Sequence, residues 1–193
     1  MEQIDHYIVL DFEATCSEKT KQSPQEIIEF PSVVVDSKTL DPVNQIQLYI
    51  RPVHHPTLTK FCTNLTGITQ ETINSANTFR GVYNYYDKWL QKYPNSIFVT
   101  CGDWDLKSML PRQARTSNIR LPWYYGRWIN IKTEFDAFYP NKHANGLSSM
   151  LKVLDMEFVG RPHSGLDDCI NIARLWKKMA EDGYKPSDAS IRW

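Results

Sequence analysis

Two carboxylates one residue apart, Asp11 and Glu13, sit in the run Tyr7-Ile8-Val9-Leu10-Asp11-Phe12-Glu13-Ala14-Thr15-Cys16. This run is short and apolar, rich in β-branched and aromatic residues, and free of Gly and Pro, so it reads as a β-strand. Alternation puts Ile8, Leu10, Phe12 and Ala14 on one face and Tyr7, Val9, Asp11 and Glu13 on the other. Both faces begin apolar, as in a central strand covered on both sides. The two carboxylates then share a face, roughly 7 Å apart along the strand. Ionised carboxylates at the end of a buried strand are costly unless a positive charge compensates them, and a divalent metal is the usual compensator. The alternative is a strand end that has already reached solvent.

A third acid comes from the far end of the chain. Along Ser164–Glu181, helical spacing aligns Asp168 with Ile172, Leu175 and Met179, and aligns Asp167 with Asn171, Arg174 and Lys178. Asp168 therefore projects from the core-facing stripe, and Asp167 is expected to face water. The helix dipole alone would favour an acid in the first turn, but it does not require that acid to point at the sheet. Five residues earlier stands His163, in the loop Gly160-Arg161-Pro162-His163-Ser164-Gly165. A histidine beside an inward carboxylate suits general-base work on an attacking water; the alternative is a solvated loop side chain. A fourth acid is Asp103 or Asp105, after the apolar run Ile97–Cys101. Asp105 shares a stripe with Met109, Asp103 could be an N-cap, and spacing alone leaves both open.

The elements that must hold these residues follow in order. Glu26–Asp36 and Val43–Ile50 read as strands joined by a turn, with Pro31 suggesting a bulge or an edge position. Together with the first strand they form an antiparallel meander. Thr78–Tyr93 is an amphipathic helix through Phe79, Val82, Tyr86, Trp89 and Leu90. Ile97–Cys101 is a strand reached by crossover, hence parallel to an earlier one. A helix through Leu106, Met109 and Leu110 follows, then a last strand at Trp128–Ile131, helical turns at Thr133–Phe138, a helix at Gly146–Met156, and the final helix. The order βββαβαβα predicts an α/β three-layer domain with a mixed five-stranded sheet and helices on both faces.

The chain has 193 residues, enough for one sizeable core. No apolar run has membrane-spanning length, and the N-terminus carries neither a basic nor an apolar signal region, so an intracellular protein, cytoplasmic or nuclear, is expected. Lys plus Arg and Asp plus Glu each number 22, which gives no support to nucleic-acid binding driven by net charge. Locally, Lys107 to Lys132 holds six basic residues and no acid, interleaved with Trp123, Tyr124, Tyr125 and Trp128. That mixture suits a single strand gripped by phosphate pairing and stacking, or else a solvated helix face over core aromatics. Cys16, Cys62, Cys101 and Cys169 have no zinc or redox spacing and read as small apolar side chains.

Taken together, Asp11-Phe12-Glu13-Ala14-Thr15-Cys16, Trp104-Asp105 and His163-x4-Asp168 resemble the three motifs of the DEDDh 3′→5′ exonucleases, whose fold is RNase H-like (DnaQ-like). Gln25–Pro31, Phe61-Cys62-x-x-Leu65-Thr66-Gly67-Ile68, Val99–Asp105 and Gly160–Asp168 are similar to segments of the enhanced-RNAi (ERI) exoribonucleases, the third vertebrate branch above all. The resemblance spans about residues 6 to 185, which implies one exonuclease domain over 1–185 and a polar tail over 186–193. It implies Asp11, Glu13, Asp105 and Asp168 as metal ligands and His163 as general base. Phe61, Leu65 and Trp104 match apolar positions around the terminal nucleotide, and Phe12, Ala14, Thr66 and His163 complete the expected substrate-contacting set. Two Mg²⁺ ions are implied, with Mn²⁺ expected to substitute: Asp11 bridging, Glu13 and Asp168 on the first ion, Asp105 supporting the second. The expected partner is an RNA 3′ end, single-stranded or a short overhang. The chain shows no SAP-type module like that of the family's histone-mRNA member, so histone stem-loop targeting is not implied. Two competing functions are a catalytically silent RNA-binding or adaptor protein on the same fold and a DNA exonuclease.

Overall fold

The computed structural model describes residues 3–20 and 22–193. Its strands are β1 (His6–Leu10), β2 (Glu13–Ala14), β3 (Ile27–Asp36), β4 (Pro42–Tyr49), β5 (Ser96–Thr100), β6 (Trp128–Asn130) and β7 (Ile191–Arg192). Its α-helices are α1 (Lys60–Thr66), α2 (Gln70–Asn74), α3 (Phe79–Leu90), α4 (Leu110–Thr116), α5 (Ile131–Phe138), α6 (Leu147–Val153) and α7 (Gly165–Glu181). They form one mixed sheet. β3 pairs antiparallel with β4 on one side and with β1 and β2 on the other. β1 pairs parallel with β5, β5 parallel with β6, and β6 antiparallel with β7.

The period-two reading of the first strand holds. Ile8, Leu10, Phe12 and Ala14 pack on one face with α3, Leu106 and Met109, while Tyr7 and Val9 pack on the other with α5, α6 and α7. Helices therefore cover both faces of a buried central sheet, in three layers.

The sheet has seven strands among the described residues, not five. The first expected strand is split. The β1–β3 ladder ends at Leu10 opposite Ser32, and pairing resumes only at Glu13 opposite Glu29. Pro31, the residue just before Ser32 on β3, has no N–H to give a ladder. Phe12 turns its own N–H to the Asp105 carboxylate, 2.8 Å away. The seventh strand lies in the expected polar tail. Tyr184 and Ser190 donate their hydroxyls to Glu134 of α5, at 2.7 and 2.8 Å, and Ile191 is buried against the sheet at its β6 edge. A two-residue strand is too short to show a period, which is why it reads as tail. Nor does Pro31 mark an edge or a bulge: β3 lies between β1 and β4, and Pro31 faces Gln47 of β4 with no shift of register there.

Candidate active site

The site forms where β1 and β5 end, so side chains just beyond two parallel strands converge there. Asp11 leaves β1, Glu13 begins β2, and Asp105 lies in the first turn of a π-helical segment, Trp104–Met109, just after β5. Asp105 is 4% exposed, and its hydrogen bond to Phe12 N–H ties that segment to the break between β1 and β2. A bond from a backbone N–H to a carboxylate contributes about 1.5–3 kcal/mol. Asp103 accepts the Trp128 indole N–H at 2.9 Å. The choice that spacing left open therefore goes to Asp105 as the inward acid.

From the other layer, α7 brings Asp168 in its first turn, 8% exposed. His163, exposed on the preceding loop, takes a left-handed backbone with φ of 64°, a conformation uncommon for a residue with a Cβ and concentrated at functional sites. Glu13, His163 and Asp168 each offer a ligand atom, all within 4.8 Å of one another. Asp11 and Asp105 stand outside that trio but join it electrostatically.

The electrostatics state the problem the site must solve. Burial drives the Asp11 carboxyl well above its usual range, and Asp105, Asp168, Glu13 and Glu29 push it further. Burial, then Asp168, Glu29 and Asp105, raise Glu13 to about 9, against Arg161. Burial raises Asp105 to about 7 despite the Phe12 hydrogen bond. Asp168 also rises to about 7 through burial, against a hydrogen bond from the His163 backbone. Four carboxyls whose pKa values are raised, chiefly by burial, form a donor set that a divalent cation would ionise. The residues present fit such an ion.

A cleft of about 270 Å³ opens over this cluster, lined by Asp11, Phe12, Glu13, Ala14, Leu65, Trp104, Asp105 and His163 among others. Leu65 is on α1, which is anchored beside the strand: its N-cap Thr59 accepts the Cys62 N–H at 3.0 Å and donates to Cys16 O at 2.6 Å. Trp104 and Phe61 are each 39% exposed. Two expected substrate contacts do not line the cleft: Phe61 lies one helical turn before Leu65, and Thr66 is buried with its hydroxyl donated to Cys62 O and accepting Ile68 N–H. Gln25, Cys16 and Cys101 line it unanticipated. Burial pushes both thiols up to about 12, so they offer no thiolate. A larger cavity, about 690 Å³, lies at the opposite end of β5, between Leu90, Phe98 and Trp123, away from the carboxylates.

Two expectations need correction. Asp167 does not simply face water: its carboxylate accepts the Arg161 N–H at 3.0 Å and holds the loop before His163. Asn171, expected on the polar stripe, is fully buried and bonds Val159 through both its side-chain atoms, because that loop folds back over α7. Of the two readings of the interleaved aromatics, the core one holds for Tyr125 and Trp128, and Tyr124 is half-buried with its hydroxyl on Asp87; Trp123 is exposed, with the Arg127 guanidinium over its ring. Sequence reasoning missed Glu29 altogether. It is 1% exposed, registered opposite Glu13, and pushed up by burial.

Residues 8–176 match the Exonuclease family. The human protein named ERI1 exoribonuclease 3 is 44% identical over 185 residues, covering 93% of this chain and 55% of the relative. Human 3'-5' exoribonuclease 1 is 38% identical over 187 residues, covering 93% and 53%. The chain thus spans about half the length of the curated relatives it matches. Among solved structures, the nuclease domain of 3'hExo, described as a DEDDh family member bound to rAMP, superposes with a TM-score of 0.88 at 36% identity, covering 94% of each chain. With a match over most of its length and the fold of a DEDDh nuclease domain, the chain belongs to the exonuclease family, as a DEDDh member of the ERI exoribonuclease group.

Proposed function

We propose that this chain is a metal-dependent 3′→5′ exoribonuclease that removes 5′-mononucleotides from a free 3′-hydroxyl end of single-stranded RNA or a short overhang. The observation that carries the reading is the convergence of Asp11, Glu13, Asp105 and Asp168, all with raised pKa values, beneath a cleft bordered by His163 and Trp104. Asp11, Glu13 and Asp168 would hold one Mg²⁺ and Asp105 would support a second, because carboxylate oxygens are the ligands Mg²⁺ prefers; Mn²⁺ is expected to substitute. Bound ions would supply charge stabilisation for the phosphate under attack and for the departing oxygen.

The chain's own side chains do the remaining work. His163, exposed at the mouth, accepts the proton of the attacking water on an imidazole nitrogen. Its 4.8 Å cluster with Glu13 and Asp168 puts that nitrogen beside the acids. Trp104 and Leu65 flank the last base by stacking and apolar contact, which tolerates any base. The RNA assignment rests on the names of the two curated relatives, both exoribonucleases, and on a 35% identical structure described as recognising the 3' end of a histone mRNA stem-loop.

The test uses matched RNA and DNA oligonucleotides labelled at the 5′ or the 3′ end, with Mg²⁺ or EDTA. Expected are a ladder shortening from the 3′ end, release of a labelled 5′-mononucleotide, no cleavage in EDTA, a block by 3′-phosphate, and slower cleavage of DNA. Undiminished hydrolysis in excess EDTA would falsify the metal assignment, and equal rates on RNA and DNA would remove the RNA preference.

A further inference from the structure

We propose that Glu29 is a positioning residue for the catalytic centre: from β3 it grips the first turn of α7 and so fixes where Asp168 and His163 stand relative to Asp11 and Glu13. The inference rests on reading the site as a metal-dependent nuclease centre.

A helix begins with N–H groups that have no partner within the helix, and a local side chain usually caps them. In α7 the N-cap Ser164 makes no side-chain bond to the helix. The partner comes from elsewhere: the Glu29 carboxylate, 136 residues earlier, accepts Gly165 N–H at 3.1 Å on one oxygen and Leu166 N–H at 3.2 Å on the other. A third bond orients that carboxylate, since Gln47 of β4 donates its side-chain amide to Glu29 at 2.9 Å. Glu29 neither lines the cleft nor joins the Glu13–His163–Asp168 trio. Its contacts lie behind the reacting groups.

Gly165 completes the clasp. A Cβ there would lie 2.8 Å from the Asp11 carbonyl oxygen, 2.9 Å from Pro31 and 3.2 Å from the Glu29 carboxyl carbon. The end of α7 thus abuts the backbone of Asp11 itself, and only glycine allows the approach. Asp168 is three residues into the helix, about 4.5 Å along its axis, and His163 is two residues before its start. A displacement of this one turn moves both. Two catalytic groups from the end of the chain are thereby referenced to two from its beginning through one buried carboxylate.

A rival account gives Glu29 only its charge, which would draw cations without positioning anything. Two variants separate the accounts. Glu29→Gln keeps length but loses one acceptor; Gly165→Ala keeps every charge and wedges α7 off Asp11. Positioning predicts that each lowers kcat on 5′-labelled RNA by about 10–100-fold, the usual effect of disturbing the support of a metal site, while KM stays unchanged. It predicts that each weakens Mn²⁺ binding in calorimetry, and that the double variant is little worse than either. A defect in Glu29→Gln with normal Gly165→Ala would assign the effect to charge and overturn the proposal. Normal kcat and Mn²⁺ binding in Glu29→Gln, or loss of its cooperative melt, would overturn it equally. If the unaltered protein degrades no RNA, the nuclease reading fails on its own, and Mn²⁺ binding by the two variants still decides whether Glu29 positions the acids.

Discussion

Asp168 and Asp167 are neighbours on α7, yet their carboxylates meet different surroundings. Asp168 reaches the trio with Glu13 and His163, whereas Asp167 turns back to the Arg161 backbone. Asp168→Asn removes a charge the centre needs, so turnover should fall by orders of magnitude with the fold intact. Asp167→Asn keeps an oxygen that can accept the Arg161 N–H, so its effect should be small. Single-turnover rates on labelled RNA compare the two directly, and a reversed ranking would overturn their roles. Trp104 makes a different kind of contribution. It is exposed on the cleft rim with no role in holding the acids, so Trp104→Ala should weaken RNA binding by roughly 1–3 kcal/mol, the worth of one base stack, with kcat at saturating RNA little changed. A binding titration with RNA that carries its fluorophore at the 5′ end and a free 3′-hydroxyl reads that loss.

Elements that bury a face were legible in the sequence, because burial writes a period. The alternation of residues 7–14 separated the two layers correctly, and the stripe of α7 turned Asp168 inward. What stayed hidden depends on contacts between distant residues. The break after Leu10 follows from Phe12 donating to Asp105, 93 positions on. Glu29 looks like any polar residue in a strand until the end of α7 arrives beside it. Asp105 could be told from Asp103 only by family resemblance, since both follow the same strand. The short β7 had no period to read, but its docking is substantial: Ile191 is buried and Ser190 shares Glu134 with Tyr184. Ending the chain at 186 would expose the β6 edge and strip Glu134 of the Ser190 hydroxyl. Its melting temperature should fall by several degrees, as about 1 kcal/mol corresponds to a few degrees in a domain of this size. Exonuclease activity at 25 °C should persist, because none of the removed residues lines the cleft. An unchanged melt would mean that β7 adds nothing.

The molecule as a whole carries the strain of its site as a pH dependence of stability. Glu13 is raised to about 9, and Asp105 and Asp168 to about 7, chiefly by burial. In the unfolded chain the same groups titrate near about 4. Between these values the folded protein holds protons that the unfolded chain has released, so stability falls as pH rises. The decline should run from about pH 4 to about pH 9, steepest before Asp105 and Asp168 ionise, and then level off. The lowered carboxyls, Asp36 and Asp182, have the opposite sign, but both are at the surface and act only at acid pH. A cation that binds the ionised cluster acts on the same groups. Mn²⁺ or Mg²⁺ should raise the melting temperature most at the alkaline end, where no proton need be displaced. Thermal melts across this pH range, with EDTA and with Mn²⁺, should therefore diverge as pH increases. Replacing Asp105 and Asp168 together by Asn should make the EDTA curve shallower, leaving the part due to Glu13, and reduce the divergence. An EDTA curve that is flat in the unaltered protein would mean that these carboxyls are not raised, and the case for a cation-seeking cluster would lose its electrostatic basis.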